Sequence, residues 1–335
     1  MSKTSSVVNE DDALALLDAA DKEGGVNSIP EPPAPKVKSL GKSLSSIAAE
    51  ESSISMANDV RWKVIPFKTL PSLGKFYPPD SEISIRSAEV MEIRHWSTID
   101  ENDSISINDC LNFILERCLK FKIKGRPVSL SWRDLLMVDR FFLIFKVHEI
   151  TFPNGENKLM KTFECSSCKK EDRYSGKHQV KGHMLQGFTI PEELQQFYHE
   201  EYKTFFVQSE KFDNFYLNMP SIGAFNLVKQ YISSRAERGK TSEKWFVRVA
   251  PYLIEDYEST TVDSLEKLRE QTMNWHPNKM VFVTRAVDML ENSKNNRLSI
   301  KCPKCNSQIE ADIFSSNSFT VKDLFLVSAR LADLV

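Results

Sequence analysis

The sequence predicts an α+β protein, a small mixed α/β domain with a split four-cysteine zinc ribbon and an inserted helical domain. Three observations support this prediction. Two CxxC motifs each follow a short strand-like run, most of the segment between them has apolar residues at helical spacing, and the first 60 residues have the composition of a disordered tail. The predicted divisions are residues 1–60, residues 61–189 together with 296–335, and the inserted residues 190–295.

The composition of the 335-residue chain excludes several classes of protein. Its 44 basic and 46 acidic residues give a net charge of −2, unlike the strongly basic proteins that coat nucleic acids. The chain has only 11 glycines, no phosphate-loop motif and no catalytic constellation, so we expect no enzymatic activity. No run approaches the roughly 20 apolar residues that cross a bilayer, and the amino terminus lacks the apolar core of a secretory signal. We therefore expect a reducing, intracellular environment, where cysteine pairs bind metal more often than they form disulfides.

Residues 1–60 are predicted to form an acidic, disordered tail. Five basic and ten acidic residues give this segment a charge of −5 and leave +3 on the remainder. The proline-rich residues 30–35 are expected to be stiff and extended. A short apolar stripe at residues 13–17 has two interpretations: a transient helix in a solvated tail, or a motif that folds on binding a partner.

The ordered part is predicted to begin near Trp62 with short strands and turns. Leu70–Pro79 is a turn-rich loop with aromatic anchors, either a functional surface or a packed corner, and Ile83–Arg86 alternates as a half-buried strand. The helices predicted next are 88–96 with Val90, Met91, Ile93 and Trp96 on its apolar side, 107–121 with Asn108 as N-cap, and Ser131 to about Phe145.

The rest of the chain alternates between strands and helices. Cys110 and Cys118 are expected to be buried core thiols of the helix over 107–121. Strands are predicted over 147–152, 159–164 and 296–314. Predicted helices are Pro191–Tyr202, Ser221–Arg238, Ser242–Tyr257 with a break at Pro251, one starting at Thr260, and Pro277–Asn292. A last helix, from Thr320 to the end, has a wide apolar face that either packs on the chain's own core or supports self-association.

The candidate metal ligands are Cys165, Cys168, Cys302 and Cys305. Each CxxC pair lies in a tight turn after a strand, the layout of a zinc knuckle, and two facing knuckles supply four thiolates to a tetrahedral zinc ion. Four cysteines leave no coordination position open, so we expect one structural Zn²⁺ per chain. A redox role would need a thiol at a helix N-terminus, whereas both pairs follow strands. Between the pairs lie 133 residues, against about 15–20 in ordinary ribbons, which is why residues 190–295 are predicted to be an insertion.

Four short motifs add a different kind of signal. They are Leu70-Pro-Ser-Leu-Gly-Lys-Phe-Tyr-Pro78, Ile83-Ser-Ile-Arg86 with its succeeding helix, the segment 134–147 centred on Asp139-Arg140, and Cys165-x-x-Cys168. As a set they resemble the baseplate-hub and hub-assembly proteins of contractile-tailed, T-even-like bacteriophages. The resemblance covers about residues 65–185 and the second CxxC motif, and it does not extend to the acidic tail or to the length of the helical insertion.

This resemblance implies a non-enzymatic subunit or assembly factor of the tail baseplate hub. Its partners would then be other baseplate or tail hub proteins, and its location the host cytoplasm during assembly or the baseplate of the virion. The residues themselves keep one alternative open, a zinc-ribbon module that binds nucleic acid or transcription machinery. The basic residues around Gly239 lack the aromatic platform of such a surface, so nucleic acid is not the expected partner.

Overall fold

The computed structural model describes residues 61–124, 129–155, 157–185, 187–293, 297–314 and 319–325. These residues form a mixed α/β protein with eight α-helices and four small antiparallel sheets. The tail predicted for residues 1–60 lies outside the described residues. So does most of the last predicted helix, of which the described part contains a 3₁₀ turn at Lys322–Leu324. No helix in the described part is long and apolar enough to cross a membrane.

The first sheet and the first three helices lie within residues 63–151. Its strands are, in spatial order, β1 (Lys63–Ile65), β2 (Ser81–Ile85), β3 (Leu119–Ile123) and β4 (Ser129–Leu130). The helices are α1 (Val90–Trp96), α2 (Ser104–Cys118) and α3 (Arg140–Thr151). The chain passes directly from α2 into β3, where alternation buries Leu119, Phe121 and Ile123 and exposes or half-buries the residues between them.

The inward face of α1 differs from the prediction. Trp96 is fully buried, but Val90 and Met91 are 72% and 80% exposed, so the prediction that both lie on the buried side is wrong. The inward position is taken by Glu92, which accepts hydrogen bonds from the Arg86 guanidinium, one of them 3.0 Å long. A partly buried ion pair made with a residue outside the helix therefore sets its orientation.

Helix α2 starts and ends three residues earlier than predicted. Its N-cap is Asp103, whose carboxylate accepts from the backbone N–H groups of Ile105 and Ser106, and not Asn108 as predicted. Asn108 instead accepts a hydrogen bond from Arg140. Cys110 and Cys118 are buried in the core, which confirms the prediction for them.

The segment after Ser131 also differs from the prediction. Ser131 caps only a 3₁₀ turn at Trp132–Asp134, and α3 begins at Arg140. The helix continues to Thr151, so the strand predicted over 147–152 is wrong. A helix that is apolar on nearly every side has no clear period, and this one buries most of Phe142–His148.

The helix predicted over Pro191–Tyr202 is mostly wrong. The chain has a single turn, α4 (Glu192–Gln195), followed by a three-stranded sheet of β7 (Tyr198–His199), β8 (Thr204–Val207) and β9 (Phe215–Leu217). All four residues of β8 are buried. A short run of β-branched and aromatic residues is typical of a buried strand, and this signal was outweighed by the helical pattern around it.

The later elements agree well with the predictions. Helices α5 (Ile222–Glu237), α6 (Lys244–Leu253), α7 (Val262–Met273) and α8 (Pro277–Asn292) lie where helices were predicted, with Pro251 inside α6 and Thr261, one residue late, as the cap of α7. Two further hairpins consist of β5 (Met160–Glu164) with β6 (Ser175–Gln179), and β10 (Arg297–Lys301) with β11 (Gln308–Asp312).

One large hydrophobic core includes residues from both sides of the predicted insertion boundary. Phe76 of the Leu70–Pro79 loop packs against Phe188, Tyr198 and Phe205, with ring centroids 5.3–5.8 Å apart. A smaller cluster is formed by the facing sides of α5, α6 and α7. The division into domains stays a prediction.

A fully buried carboxylate, Asp139, joins the Leu70–Pro79 loop to the start of α3. Its Oδ1 accepts from the Ser72 backbone N–H at 2.8 Å, and its Oδ2 accepts from Ser72 Oγ at 2.6 Å and from Tyr77 Oη at 2.8 Å. Tyr77 Oη in turn accepts from the backbone N–H of Leu136. Burial raises the pKa of Asp139 to about 6, and the hydrogen bonds from Ser72 and Tyr77 limit the rise. These hydrogen bonds fix the loop at Ser72 and Tyr77.

The substitution Asp139→Asn is expected to change how stability depends on pH. Because the pKa in the folded protein is about 6 against an ordinary 3.8, ionisation disfavours the folded state, and the wild type loses about 3 kcal/mol of its free energy of unfolding between about pH 4 and pH 6. Asparagine does not titrate, so the variant's deficit should be largest near pH 4 and shrink toward pH 7. Urea unfolding of both proteins across this range measures the difference, and a deficit that does not vary with pH would contradict the raised pKa.

Candidate metal centre

Each CxxC motif lies at the tip of a β-hairpin, as predicted. Strands β5 and β6 pair from Met160 opposite Gln179 to Glu164 opposite Ser175, which places Cys165 directly after the last pair. Strands β10 and β11 pair in the same way, which places Cys302 at the equivalent position. The first cysteine of each motif continues the ladder, since Cys165 N–H donates to the Tyr174 carbonyl and Cys302 N–H to the Ser307 carbonyl.

The backbone conformation of the turn after Cys302 places the thiols of Cys302 and Cys305 on the same side of the turn. Asn306 N–H donates to the Cys302 carbonyl at 2.9 Å, and Asn306 has a positive φ of 58°. Asparagine is one of the few residues with a side chain that adopts this left-handed conformation readily. The tight turn brings Cys305 back beside Cys302.

The four sulfur atoms form a compact cluster. All lie within 4.8 Å of one another, and the distances are 3.6 Å for Cys165–Cys305, 3.6 Å for Cys168–Cys305 and 3.7 Å for Cys168–Cys302. The corners of a tetrahedron whose centre is about 2.3 Å from each sulfur are about 3.8 Å apart. A disulfide would need about 2.05 Å. The cluster can therefore bind a metal ion such as zinc, and within the described ranges it is the one group of three or more potential ligands close enough to do so.

Burial of the site is graded from one side to the other. Cys165 and Cys302 are fully buried in the main hydrophobic core, Cys168 is partly buried and Cys305 is exposed. Phe163 and Leu298 are buried in the same core. The inner pair of sulfurs is thus fixed by packing, and the outer pair faces the surface.

Ser307 is a member of the site that the sequence reasoning missed. Its Oγ is 2.9 Å from Cys305 Sγ and 3.2 Å from Cys165 Sγ. A hydroxyl that donates to a thiolate stabilises its charge, and this contact is the main reason that the pKa of Cys165 is lowered to about 6 and that of Cys305 is also lowered. The only signal in the sequence was a serine two residues after the last cysteine.

Contacts outside the sulfur cluster also join the two hairpins. Lys304, between the cysteines of the second motif, contacts the carboxylate of Asp172 in the first hairpin and donates to its backbone carbonyl at 3.2 Å. Leu185, after the first hairpin, forms an isolated β-bridge with Leu298 of β10. The hairpins therefore face each other through side-chain and backbone contacts of their own.

Comparison of the chain with known proteins found no matching family model, no matching curated protein and no matching solved structure. The fold and the site define its class as a mixed α/β protein with a four-cysteine candidate metal centre.

Cys165→Ser is expected to reduce the bound metal from about one ion per chain to none. The reason is that a closed four-thiolate site loses most of its affinity for the metal when one thiolate is removed. Cys118→Ser is the matched control, since it removes a buried thiol outside the cluster. Plasma mass spectrometry of the purified proteins measures the metal content. Full retention in Cys165→Ser, or equal loss in Cys118→Ser, would contradict the assigned ligands.

Proposed function

We propose that this chain is a non-enzymatic structural subunit or assembly factor of the baseplate hub of a contractile phage tail, and that its four cysteines hold one structural zinc ion. The observation that carries the proposal is the convergence of motifs on which the resemblance rests. Ser72 and Tyr77 belong to the Leu70–Pro78 motif, and Asp139 belongs to the segment 134–147. Ser72 and Tyr77 are 67 and 62 positions from Asp139 in the chain, yet both donate hydrogen bonds directly to its carboxylate.

The second half of the Asp139-Arg140 pair supports the same view. Arg140 is buried at the start of α3 and donates to the Asn108 side chain, to the Asn108 backbone carbonyl and to Asn112 Oδ1, the last at 2.6 Å. Asp139 thus holds the Leu70–Pro79 loop, and the adjacent Arg140 holds α2. Motifs that meet in this way are parts of one structural unit, which is what a shared family fold requires.

Zinc is proposed because of the ligand chemistry and the closed geometry. Four thiolates favour zinc over hard cations such as magnesium or calcium, and a site with four protein ligands has no position for a substrate. When bound, the ion would cross-link segments 133 residues apart in the chain, a closure that strongly restricts the unfolded chain.

Removal of the metal with a chelator is expected to lower the melting temperature by at least about 5 °C, since roughly 1 kcal/mol corresponds to 2–4 °C in a domain of this size and structural zinc contributes several times that. Added zinc should restore the melting temperature and added magnesium should not. A melting temperature unaffected by chelation, or iron in the purified protein, would contradict a structural zinc site.

The hub role predicts both gene neighbours and binding partners. Genes for sheath, tube and baseplate wedge proteins are expected beside the gene for this chain, and the tagged chain should co-purify with hub proteins from cells in which tails assemble. Mass spectrometry of purified virions then distinguishes a subunit, which remains in the finished particle, from an assembly factor, which is absent from it. Absence of tail genes and of tail proteins would overturn the proposal. Binding to DNA or RNA that weakens steeply with salt would favour the nucleic-acid alternative.

A further inference from the structure

The turn at Leu73 places a large apolar side chain at the surface in an unfavourable backbone conformation. Leu73 has a φ of 54° and is 50% exposed. Glycine adopts this left-handed region freely, whereas a branched apolar residue does so at a cost. Four non-glycine residues of the described part have positive φ, and the other three are polar: Asp80, Lys203 and Asn306.

Hydrogen bonds on both sides of Leu73 hold this conformation. The preceding Ser72 is fully buried and bonded twice to Asp139. Leu73 N–H donates to the Leu70 carbonyl at 2.9 Å, and Gly74 N–H donates to Ser72 Oγ at 3.2 Å. Strained residues persist only where their surroundings impose the conformation, and they concentrate at functional sites. The half-exposed Leu73 side chain adds little to the core that its neighbours form.

Leu73 lies on the edge of a groove of about 500 Å³. The groove has apolar walls from three parts of the chain, including Leu70 in the same loop, Phe142 in α3 and Leu185 after the first hairpin. The groove and Leu73 together form an apolar surface larger than a single exposed side chain.

The groove lining has basic residues but no acidic one. Lys68, Lys146 and His183 contribute to it. Lys146 is paired with Glu149 at 2.7 Å, which neutralises that position. Lys68 and His183 are exposed and form no ion pair with any residue that the structure describes. Lys68 thus gives the apolar groove a positive edge, which complements carboxylates.

We propose that Leu73 and this groove are a docking surface for an acidic segment of another protein. An apolar side chain of that segment packs against Leu73 and into the groove, and flanking carboxylates accept hydrogen bonds from Lys68 and His183. A second copy of this same surface is a poor occupant because it would bring two positive edges together. The inference does not depend on the assignment to a phage baseplate.

A yeast-displayed library of random 12-residue peptides, selected on the full-length chain, tests the surface. Enriched peptides should combine Asp or Glu with Leu, Ile or Phe, and the Leu73→Asp and Lys68→Glu variants should bind them at least about tenfold more weakly, as expected for a central apolar anchor and its charged neighbour. Met91→Asp is the matched control, because Met91 is another exposed apolar residue outside the groove, and it should bind as the wild type does.

The Leu73→Gly variant separates a docking role from a structural one. Glycine relieves the strained conformation, so its melting temperature should equal or exceed that of the wild type while peptide binding is lost. A melting temperature more than about 4 °C lower, which corresponds to roughly 1 kcal/mol or more, would show that Leu73 serves the fold and would overturn the proposal. Three other results would also overturn the proposal. They are enrichment of basic peptides, binding of every selected peptide by Leu73→Asp as by the wild type, and a dimer of this chain that Leu73→Asp dissociates.

Discussion

The buried carboxylate of Asp139 is the contact on which much of the described structure depends. It fixes Ser72 and Tyr77 of the loop, and the loop in turn places Phe76 against the aromatic residues that precede and form the β7–β9 sheet. The adjacent Arg140 holds α2 through Asn108 and Asn112. A buried charge is unfavourable unless it is hydrogen-bonded, and the three donors to Asp139 offset part of that cost. The same two residues therefore determine how a loop and two helices are placed.

The four cysteines provide a second constraint of a different kind. Both hairpins have complete backbone ladders, and Cys165 and Cys302 lie in the main core. Each hairpin is therefore fixed by its backbone ladder and by the packing of its first cysteine in the core. What a bound ion would add is a link between two segments distant in sequence, beside the Lys304–Asp172, Ser307–Cys165 and Leu185–Leu298 contacts that already join them. Because the four thiolates come together only in the folded chain, the free energy of metal binding would add to the free energy of unfolding.

The elements that could be predicted from the sequence are those specified by their own residues. Helix α8 lies over Pro277–Asn292 as predicted, since a proline at its first turn and a clear apolar period specify it. The cysteine cluster was also predictable, because CxxC spacing after a strand specifies a turn. The failures have non-local causes: Arg86 orients α1 by pairing with Glu92, and burial on nearly all sides removes the period of α3. Ser307 was missed because a serine in a turn is ordinarily solvated.

The two constraints meet at the groove beside Leu73. One wall comes from the loop that Asp139 holds, and the other includes Leu185, which forms a bridge to Leu298 in the strand that leads to Cys302. Phe188 N–H also donates to the Pro71 carbonyl at 2.7 Å, so the two walls are joined directly. A surface that must hold a strained leucine in place needs rigid support on both sides. Here one side is supported by a buried carboxylate and the other by a hairpin that a metal ion can fasten to its neighbour.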